Sequence, residues 1–363
     1  MAKVLKWSLA TLLLLGGVAF GVWKILIDHR YDGNAPVRVF IPAQASPAAV
    51  ADSLGSSLGH KFGSMVTRLW KLQDGNSATA HGSYLVQPGE RAVNVARRLA
   101  TGRQSPIRLT FNNLRTFGDL AAHVGSHMEI DSADFAAAAD SLLPAKGFRP
   151  AEYAAAFMPD TYEYYWTAGA ERVINTMLDA RNRFWNQERL DKANRLGLTP
   201  AQVAIVASIV EEETARPDER PLVARLYLNR LAKGMKLQAD PTVKFALGDF
   251  GLRRILARHL TVDSPYNTYK IDGLPPGPIR IVEGSSIDAV LDADAFAFLK
   301  SKGLFDRETA DSFRRNILTR GGTEDPAELY RRFRGQDPEI DALLIRDGIA
   351  VPSEPAVARP ARD

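Results

Sequence analysis

The chain has 363 residues, 45% hydrophobic and 24% charged, so it is long enough to form two or three domains with apolar cores. The net charge of +4 is small, and the basic residues are spread along the chain, which argues against a nucleic-acid-binding protein. The absence of cysteine excludes disulfides and cysteine-ligated metal sites. No HExxH pattern occurs, and the pair His123 and His127 lacks a matching carboxylate pattern, so we expect neither a metal nor a cofactor.

An apolar segment near the N-terminus predicts a membrane anchor. Residues 7–27 supply the run of about 20 mostly apolar residues that a bilayer-spanning helix needs. Trp7 and Trp23 are typical of membrane interfaces, and Lys3 and Lys6 place the N-terminus in the cytoplasm. A cleaved signal peptide is the alternative, but no small-residue cleavage site follows the run. We therefore expect a single-pass inner-membrane protein with a periplasmic body.

Two strand–helix units follow the predicted anchor. The first helix has Ser46 as its N-cap and Pro47 at its first position, both common helix starts. Units of this size predict a small α+β module, with the general pattern of LysM-type glycan-binding modules, although a spacer domain without a ligand fits equally well. The predicted strands are residues 37–41, 82–86 and 107–111, and the helices begin at Ser46 and Arg91.

The pattern becomes helical from Thr116 to Asn186, with an interruption at residues 157–166. This interruption is aromatic and contains a proline, so the sequence predicts neither a regular helix nor a regular strand there. Its aromatic rings suit stacking on sugars, and core packing is the alternative.

A strongly apolar segment then predicts a buried helix that ends in three carboxylates. Thr199 is its predicted N-cap, and Glu211, Glu212 and Glu213 follow the apolar run. Since successive helical residues point about 100° apart, the three side chains have different surroundings. Glu211 continues the buried side better than Glu212, and apolar walls favour a protonated carboxyl, as a general acid needs.

A solvated acidic helix end is the alternative reading of this run. Three glutamates at a helix C-terminus oppose the helix dipole, so helix stability does not explain them. Downstream, polar side chains cluster on proline-stiffened turns, which suits recognition of sugar hydroxyl and amide groups, although such loops are also ordinary connectors. The polar residues are Gln238, Asp240, Thr242, Tyr266, Asn267 and Tyr269.

Several motifs together resemble the endolytic murein transglycosylases, the YceG-like family. They occur in the family's order, from the anchor to about Val290. Met158 is a small departure from the family's Phe-Pro-Asp-Thr-Tyr element. The motifs are the segments 157–162, 207–214, 228–230, 235–242, 264–269 and 274–279.

The resemblance implies a lyase that cuts the β-1,4 bond between N-acetylmuramic acid and N-acetylglucosamine inside nascent peptidoglycan strands and leaves 1,6-anhydro ends. It implies Glu211 as the catalytic acid/base, with Glu213 positioning it or binding substrate. It also implies that the enzyme acts beside cell-wall synthases. A second catalytic carboxylate, which hydrolases need, is not required for this reaction. The implied substrate-binding residues are Glu213, Gln238, Asp240, Tyr266, Asn267 and Tyr269.

The C-terminal part departs from that family. Residues 291–350 resemble the tail of the peptidyl-dipeptidase and oligopeptidase zinc peptidases, whose HExxH motif is absent here. The tail predicts a few helices, and the proline- and alanine-rich residues 351–363 predict disorder. We expect an α+β fold with a catalytic domain at residues 113–290, cut short at its C-terminal end, after a LysM-like module at 36–112. A non-catalytic peptidoglycan-binding protein is the alternative, and a zinc peptidase is a third.

Overall fold

The computed structural model describes residues 15–17, 20–21, 28–293, 311, 314–315 and 332. The fold below is that of residues 28–292, which belong to one of the two units of the chain. It combines helices with two small antiparallel sheets, so the predicted α+β class is confirmed. The predicted tail helices and the end at residues 351–363 lie outside the described residues, apart from the isolated positions named above.

The predicted membrane location requires a correction. Within the part of the chain that the structure describes, no helix has the length and apolarity needed to cross a bilayer. This finding overturns the expectation of a single-pass inner-membrane protein with a cytoplasmic N-terminus at residues 1–6. Most of the predicted anchor, residues 7–27, lies outside the described residues.

The first module packs helices against one two-stranded sheet. Strands β1 and β2 pair antiparallel, with Val39 opposite Tyr84, and both side chains are fully buried. The predicted cap is confirmed, because Ser46 Oγ accepts the N–H of Ala49 at 3.1 Å. The apolar cluster of this module extends to Leu99. The elements are β1 (Val37–Ile41), α1 (Pro47–Leu58), α2 (His60–Leu72), α3 (Ser77–Ala80), β2 (Gly82–Val86) and α4 (Ala92–Ala100).

The second sheet joins residues that are distant in sequence. Strand β3 (Ile107–Phe111) pairs antiparallel with β4 (Asp160–Tyr164), with Leu109 opposite Tyr162. The third strand predicted for the LysM-like module is therefore paired with the later part of the chain. Strand β4 also corrects the expectation of irregular structure at residues 157–166, because alternate aromatic side chains bury themselves on one face.

Helices surround this second sheet. Phe117 stacks on the rings of Phe135 and Phe157, at centroid distances of 5.8 and 5.9 Å. These rings form an aromatic core between the helix that begins at Phe117, the helix that contains Phe135 and the 3-10 turn before Phe157. Thr116 and Asp119 form a capping box at the first helix start. The elements are α5 (Phe117–His127), α6 (Ser132–Leu142), two 3-10 turns (Pro144–Lys146 and Pro150–Ala156), α7 (Ala170–Phe184) and α8 (Gln187–Arg195).

Helix α9 (Pro200–Glu213) is the predicted buried helix. Its start is a capping box. Thr199 Oγ1 accepts the N–H of Gln202 at 3.2 Å, and Gln202 Oε1 accepts the N–H of Thr199 at 2.9 Å. Every residue from 203 to 211 is buried, and each buried Val or Ile contributes roughly 1.5–3 kcal/mol to folding. The helix packs against α10 (Arg220–Ala232), α11 (Asp240–Leu247) and α12 (Gly284–Leu291).

Candidate active site

The C-terminal end of α9 places three neighbouring carboxylates in three different environments. The side chain of Glu211 is 3% exposed, so it lies on the buried side of the helix as its spacing predicts. The side chain of Glu212 is 15% exposed, and Glu213 is exposed as a whole residue. The structure therefore separates the roles that these three residues can have.

Two arginines bind Glu211 and Glu212. Arg280 Nε lies 3.0 Å from Oε1 of Glu211, whose Oε2 accepts the backbone N–H of Glu283 at 3.1 Å. Arg280 also contacts Glu212 through Nη1 at 2.7 Å, and Arg115 Nη1 contacts the other oxygen of Glu212 at 2.8 Å. Thus Oε2 of Glu211 accepts one hydrogen bond, and Oε1 lies in an ion pair with Arg280, whose Nε makes no hydrogen bond with the described residues.

The loop that carries Arg280 is fixed to α9. The N–H of Ile279 donates to Ser208 Oγ at 3.0 Å, and this buried hydroxyl in turn donates to the carbonyl of Ile205 at 2.7 Å. Gly277 packs directly on the carbonyl oxygen of Ala151, where a side chain would overlap that oxygen. The position of Arg280 therefore depends on two contacts of its loop, the hydrogen bond of Ile279 to α9 and the packing of Gly277 on Ala151.

Glu213 has the properties expected of a general acid. The hydroxyl of Tyr227 on α10 donates to its Oε2 at 3.1 Å, while Oε1 makes no hydrogen bond with the described residues. Although the residue is exposed, partial burial of its carboxyl group raises its pKa, and the nearby Asp240 carboxylate adds to this effect. The Tyr227 hydrogen bond and Lys244 act in the opposite direction. A raised carboxyl pKa favours the protonated form that donates a proton near neutral pH.

The predicted residues Asp240 and Tyr269 lie near this carboxyl group, and Gln238 precedes Asp240 by two residues in the chain. The Tyr269 hydroxyl donates to Asp240 Oδ1 at 2.6 Å, and burial, together with this carboxylate, raises the pKa of Tyr269 to about 12. Gln238 has a left-handed backbone with φ 52°, a conformation that costs a side-chain-bearing residue roughly 1–3 kcal/mol. Its N–H donates to the carbonyl of Thr268 at 3.0 Å, and Arg230 donates to its side-chain oxygen at 2.9 Å.

The loop residues Tyr266 and Asn267 have different surroundings. Tyr266 is half-buried and packs on the ring of Phe245 at 4.7 Å, and burial raises its pKa. Asn267 is fully buried; its amide nitrogen donates to two backbone carbonyls at 2.8 and 2.9 Å, and its oxygen accepts the N–H of Tyr269 at 3.1 Å. Asn267 thus shapes the loop, and its implied contact with substrate stays a prediction that this burial does not favour.

The aromatic segment at residues 157–166 belongs mainly to the core. Phe157 is 1% exposed, and Tyr162 stacks on Phe111 of β3 with a centroid distance of 5.8 Å. The Tyr162 hydroxyl donates to the carbonyl of Met158 at 2.8 Å. Of the two interpretations left open by the sequence, the contacts support core packing for these rings.

Three residues of the site were not identified from the sequence. Tyr227 had a usable signal, because a tyrosine on the apolar side of a helix needs a partner for its hydroxyl group. Arg115 and Arg280 had none, since their partner Glu212 lies 97 and 68 residues away along the chain. Only the tertiary fold brings these side chains together.

Comparison with known proteins gave matches in both parts of the chain. The endolytic murein transglycosylase of Bacillus subtilis is 38% identical over 130 residues, 36% of this chain and 35% of that protein. Oligopeptidase A of Salmonella typhimurium is 55% identical over 60 residues, 16% of this chain and 9% of that protein. This chain thus spans about a third of the first relative and less than a tenth of the second. A crystal structure of a YceG-like protein from Listeria monocytogenes is 27% identical, covering 71% of this chain and 90% of its own, with a TM-score of 0.48.

Two family models match the sequence. The model of peptidase family M3 matches residues 286–349, a minor part at the C-terminal end. The model of the YceG-like family matches residues 39–314, well over half of the 363 residues and the whole of the site described above. On that match, this chain belongs to the YceG-like family.

Proposed function

We propose that this protein is a lytic transglycosylase that cleaves the glycan strands of peptidoglycan at internal bonds, with Glu213 as its acid/base. The name of the Bacillus subtilis relative supports the reaction and the substrate. The observation that carries the assignment is the carboxyl group of Glu213, which combines a raised pKa with one oxygen free of hydrogen bonds to the described residues.

The geometry favours Glu213 over Glu211, the residue that the sequence favoured. An acid/base must reach both the glycosidic oxygen and the attacking hydroxyl, within hydrogen-bond distance. Glu211 is buried, and both its oxygens are engaged by Arg280 and by the N–H of Glu283. The catalytic role that the resemblance implies for Glu211 stays a prediction; in our proposal, Glu211 instead holds the loop that carries Arg280 against α9.

In the proposed reaction, the protonated Glu213 first donates its proton to the oxygen that links muramic acid C1 to the next sugar. The bond between C1 and that oxygen breaks, and positive charge develops at C1. The carboxylate of Glu213 then takes the proton of the 6-hydroxyl of the same muramyl sugar, whose oxygen bonds to C1. A 1,6-anhydro ring forms, the acid is restored and no water is consumed, so a second carboxylate is not needed as a nucleophile.

Residues around Glu213 support both of its protonation states. The Tyr227 hydroxyl donates to the carboxylate, while the charge of Asp240 favours the protonated acid. Tyr269 holds Asp240 in place, and the exposed Gln238 is fixed by hydrogen bonds on its backbone and side chain. We assign Gln238, Asp240, Tyr266 and Tyr269 to contacts with sugar hydroxyl and acetamido groups.

The C-terminal match supports one alternative. The two family models overlap at residues 286–314, so the end of the catalytic domain coincides with sequence that is similar to peptidase family M3. A protein whose cleft is incomplete would bind peptidoglycan without cutting it.

The test is digestion of purified peptidoglycan by the full-length protein, with mass spectrometry of the products. The wild type should release internally cut glycans that end in 1,6-anhydro sugars. Glu213→Gln should lower the rate by about 10² to 10⁴ or more, because it removes the proton donor and acceptor.

Glu211→Gln is the matched variant, two residues away on the same helix. It should retain the product pattern and lose thermal stability. Loss of products from Glu211→Gln at unchanged stability, with an active Glu213→Gln, would reverse the assignment. A folded wild type that binds peptidoglycan and releases nothing would establish the non-catalytic alternative.

A further inference from the structure

A cavity of about 500 Å³ lies at the end of α9 opposite to Glu213. It is bounded by α7, by the start of α9 at Thr199, and by the turns at residues 146–152. Helix α9 has 14 residues, so at 1.5 Å per residue the cavity and the Glu213 carboxyl are roughly 20 Å apart along the helix. The cavity is therefore separate from the proposed acid/base.

The wall of this cavity contains a buried cation that forms no ion pair with the described residues. Arg181 is 8% exposed, its Nε donates to the carbonyl of Ala155 at 2.8 Å, and its guanidinium lies 4.8 Å from the ring centre of Phe148. Its two terminal amino groups make no hydrogen bond or ion pair with the described residues. Burial lowers the pKa of Arg181 to about 10. Buried charges in proteins are normally paired, so the two terminal amino groups of Arg181 are suited to an anionic ligand.

The charges around the cavity match a ligand with one negative charge. Lys146, Arg149 and Arg181 supply three positive charges, and Glu152 and Asp179 supply two negative charges, which leaves one positive charge in excess. The carboxylate of Glu152 is already held by Arg149 at 2.6 Å. A guanidinium binds both carboxylate and phosphate oxygens side by side, so the single excess positive charge is what favours a carboxylate over a dianionic phosphate.

The polar face of α7 suits a peptide. Asn175, Asp179 and Asn182 all line the cavity, and their spacing of four and seven residues puts them on one side of the helix. The two asparagine side chains make no hydrogen bond with the described residues, so their donors and acceptors are open to peptide groups. Asp179 offers a carboxylate to an ammonium group.

We propose that this cavity binds the carboxylate end of a short peptide, with Arg181 as the carboxylate ligand and the polar face of α7 along the peptide backbone. The carboxylate site stands on the geometry of the cavity alone. Its natural ligand, the stem peptide carried by the muramyl sugars, rests on the proposed function.

The test is isothermal titration of the full-length protein with three probes: D-alanyl-D-alanine, its C-terminal amide and inorganic phosphate. The free dipeptide should bind saturably, and the amide at least tenfold more weakly. Arg181→Gln should weaken dipeptide binding at least tenfold. Arg183→Gln, on the same helix but exposed, is the matched control and should leave binding unchanged.

A second variant and three contrary outcomes complete the test. If Arg181→Gln does not fold, Asn182→Ala replaces an exposed side chain and should weaken binding about threefold or more. Equal binding of dipeptide and amide, tighter binding of phosphate, or no binding at millimolar dipeptide overturns the proposal. Binding requires no glycan cleavage, so peptide binding by a protein that cuts no glycan would overturn the proposed function alone.

Discussion

The Tyr227 hydroxyl donates to Oε2 of Glu213 at 3.1 Å, and this hydrogen bond opposes the partial burial and the Asp240 charge that raise the pKa of the carboxyl group. The donor stabilises the carboxylate, which is the form that takes the second proton in the proposed reaction. Removing the donor shifts the balance toward the protonated acid.

Tyr227→Phe should therefore raise the pKa of Glu213 further. A general acid in the free enzyme works in its protonated form, so kcat/KM falls as pH rises through its pKa. The alkaline limb of the pH profile should move upward, by about one pH unit for a lost hydrogen bond to a charged group. Tyr165→Phe, at an exposed position, should leave the profile unchanged. A downward shift for Tyr227→Phe would contradict the assignment.

Arg280→Met should be strongly destabilising. It leaves the carboxylate of Glu211, 3% exposed, without its ion-pair partner, and such a loss costs about 3–5 kcal/mol. Chemical denaturation measures the change in unfolding free energy. Arg216→Met, which breaks exposed pairs with Asp218 and Glu219, should cost less than about 1 kcal/mol. Equal effects of both variants would show that the buried pair is not needed.

Asn267→Ala should lower stability rather than substrate affinity. The buried amide serves two carbonyl groups and one N–H group, and leaving such groups without partners costs about 1–3 kcal/mol. Thermal unfolding and KM, measured at low temperature on folded protein, separate the two effects. Asn229→Ala, at an exposed position on α10, is the control. An increase in KM at unchanged melting temperature would support the direct substrate contact.

Gly277→Ala should displace the loop that carries Arg280. A methyl group at this position overlaps the carbonyl oxygen of Ala151, a backbone atom that cannot rotate away. Overpacking of this kind costs about 1–3 kcal/mol and should also lower activity. Gly251→Ala adds a methyl group near only a side-chain atom of Asp249, so its melting temperature should match the wild type. A stable and fully active Gly277→Ala would show that the loop position is not required.

Local patterns predicted much of the fold but less of the site. The N-cap at Ser46 and the buried course of α9 follow from spacing and short-range chemistry, so they were predictable. Strand β4 was missed because its pairing with β3 joins residues about fifty positions apart, and pairing rather than local preference decides strands.

The helical spacing placed Glu211 on the buried side correctly, and this burial is the reason why our proposal assigns the acid/base role to Glu213. Its role depends on Arg280, which no local pattern connects to it. The sequence described the apolar environment of this carboxyl group and could not supply the ion pair within it. Amphipathic spacing therefore predicts which glutamate is buried, whereas the partners of each carboxyl group depend on tertiary contacts between residues far apart in the sequence.

The burial of α9 along nine consecutive residues also has a kinetic consequence. We expect the amide hydrogens of these residues to exchange slowly with solvent, because exchange from a buried helix requires the surrounding structure to open. Glu213 is the last residue of this helix, so its backbone is attached to a buried segment while the residue itself is exposed. If Glu213 is the acid/base that we propose, this attachment keeps its carboxyl group in one direction before substrate binds.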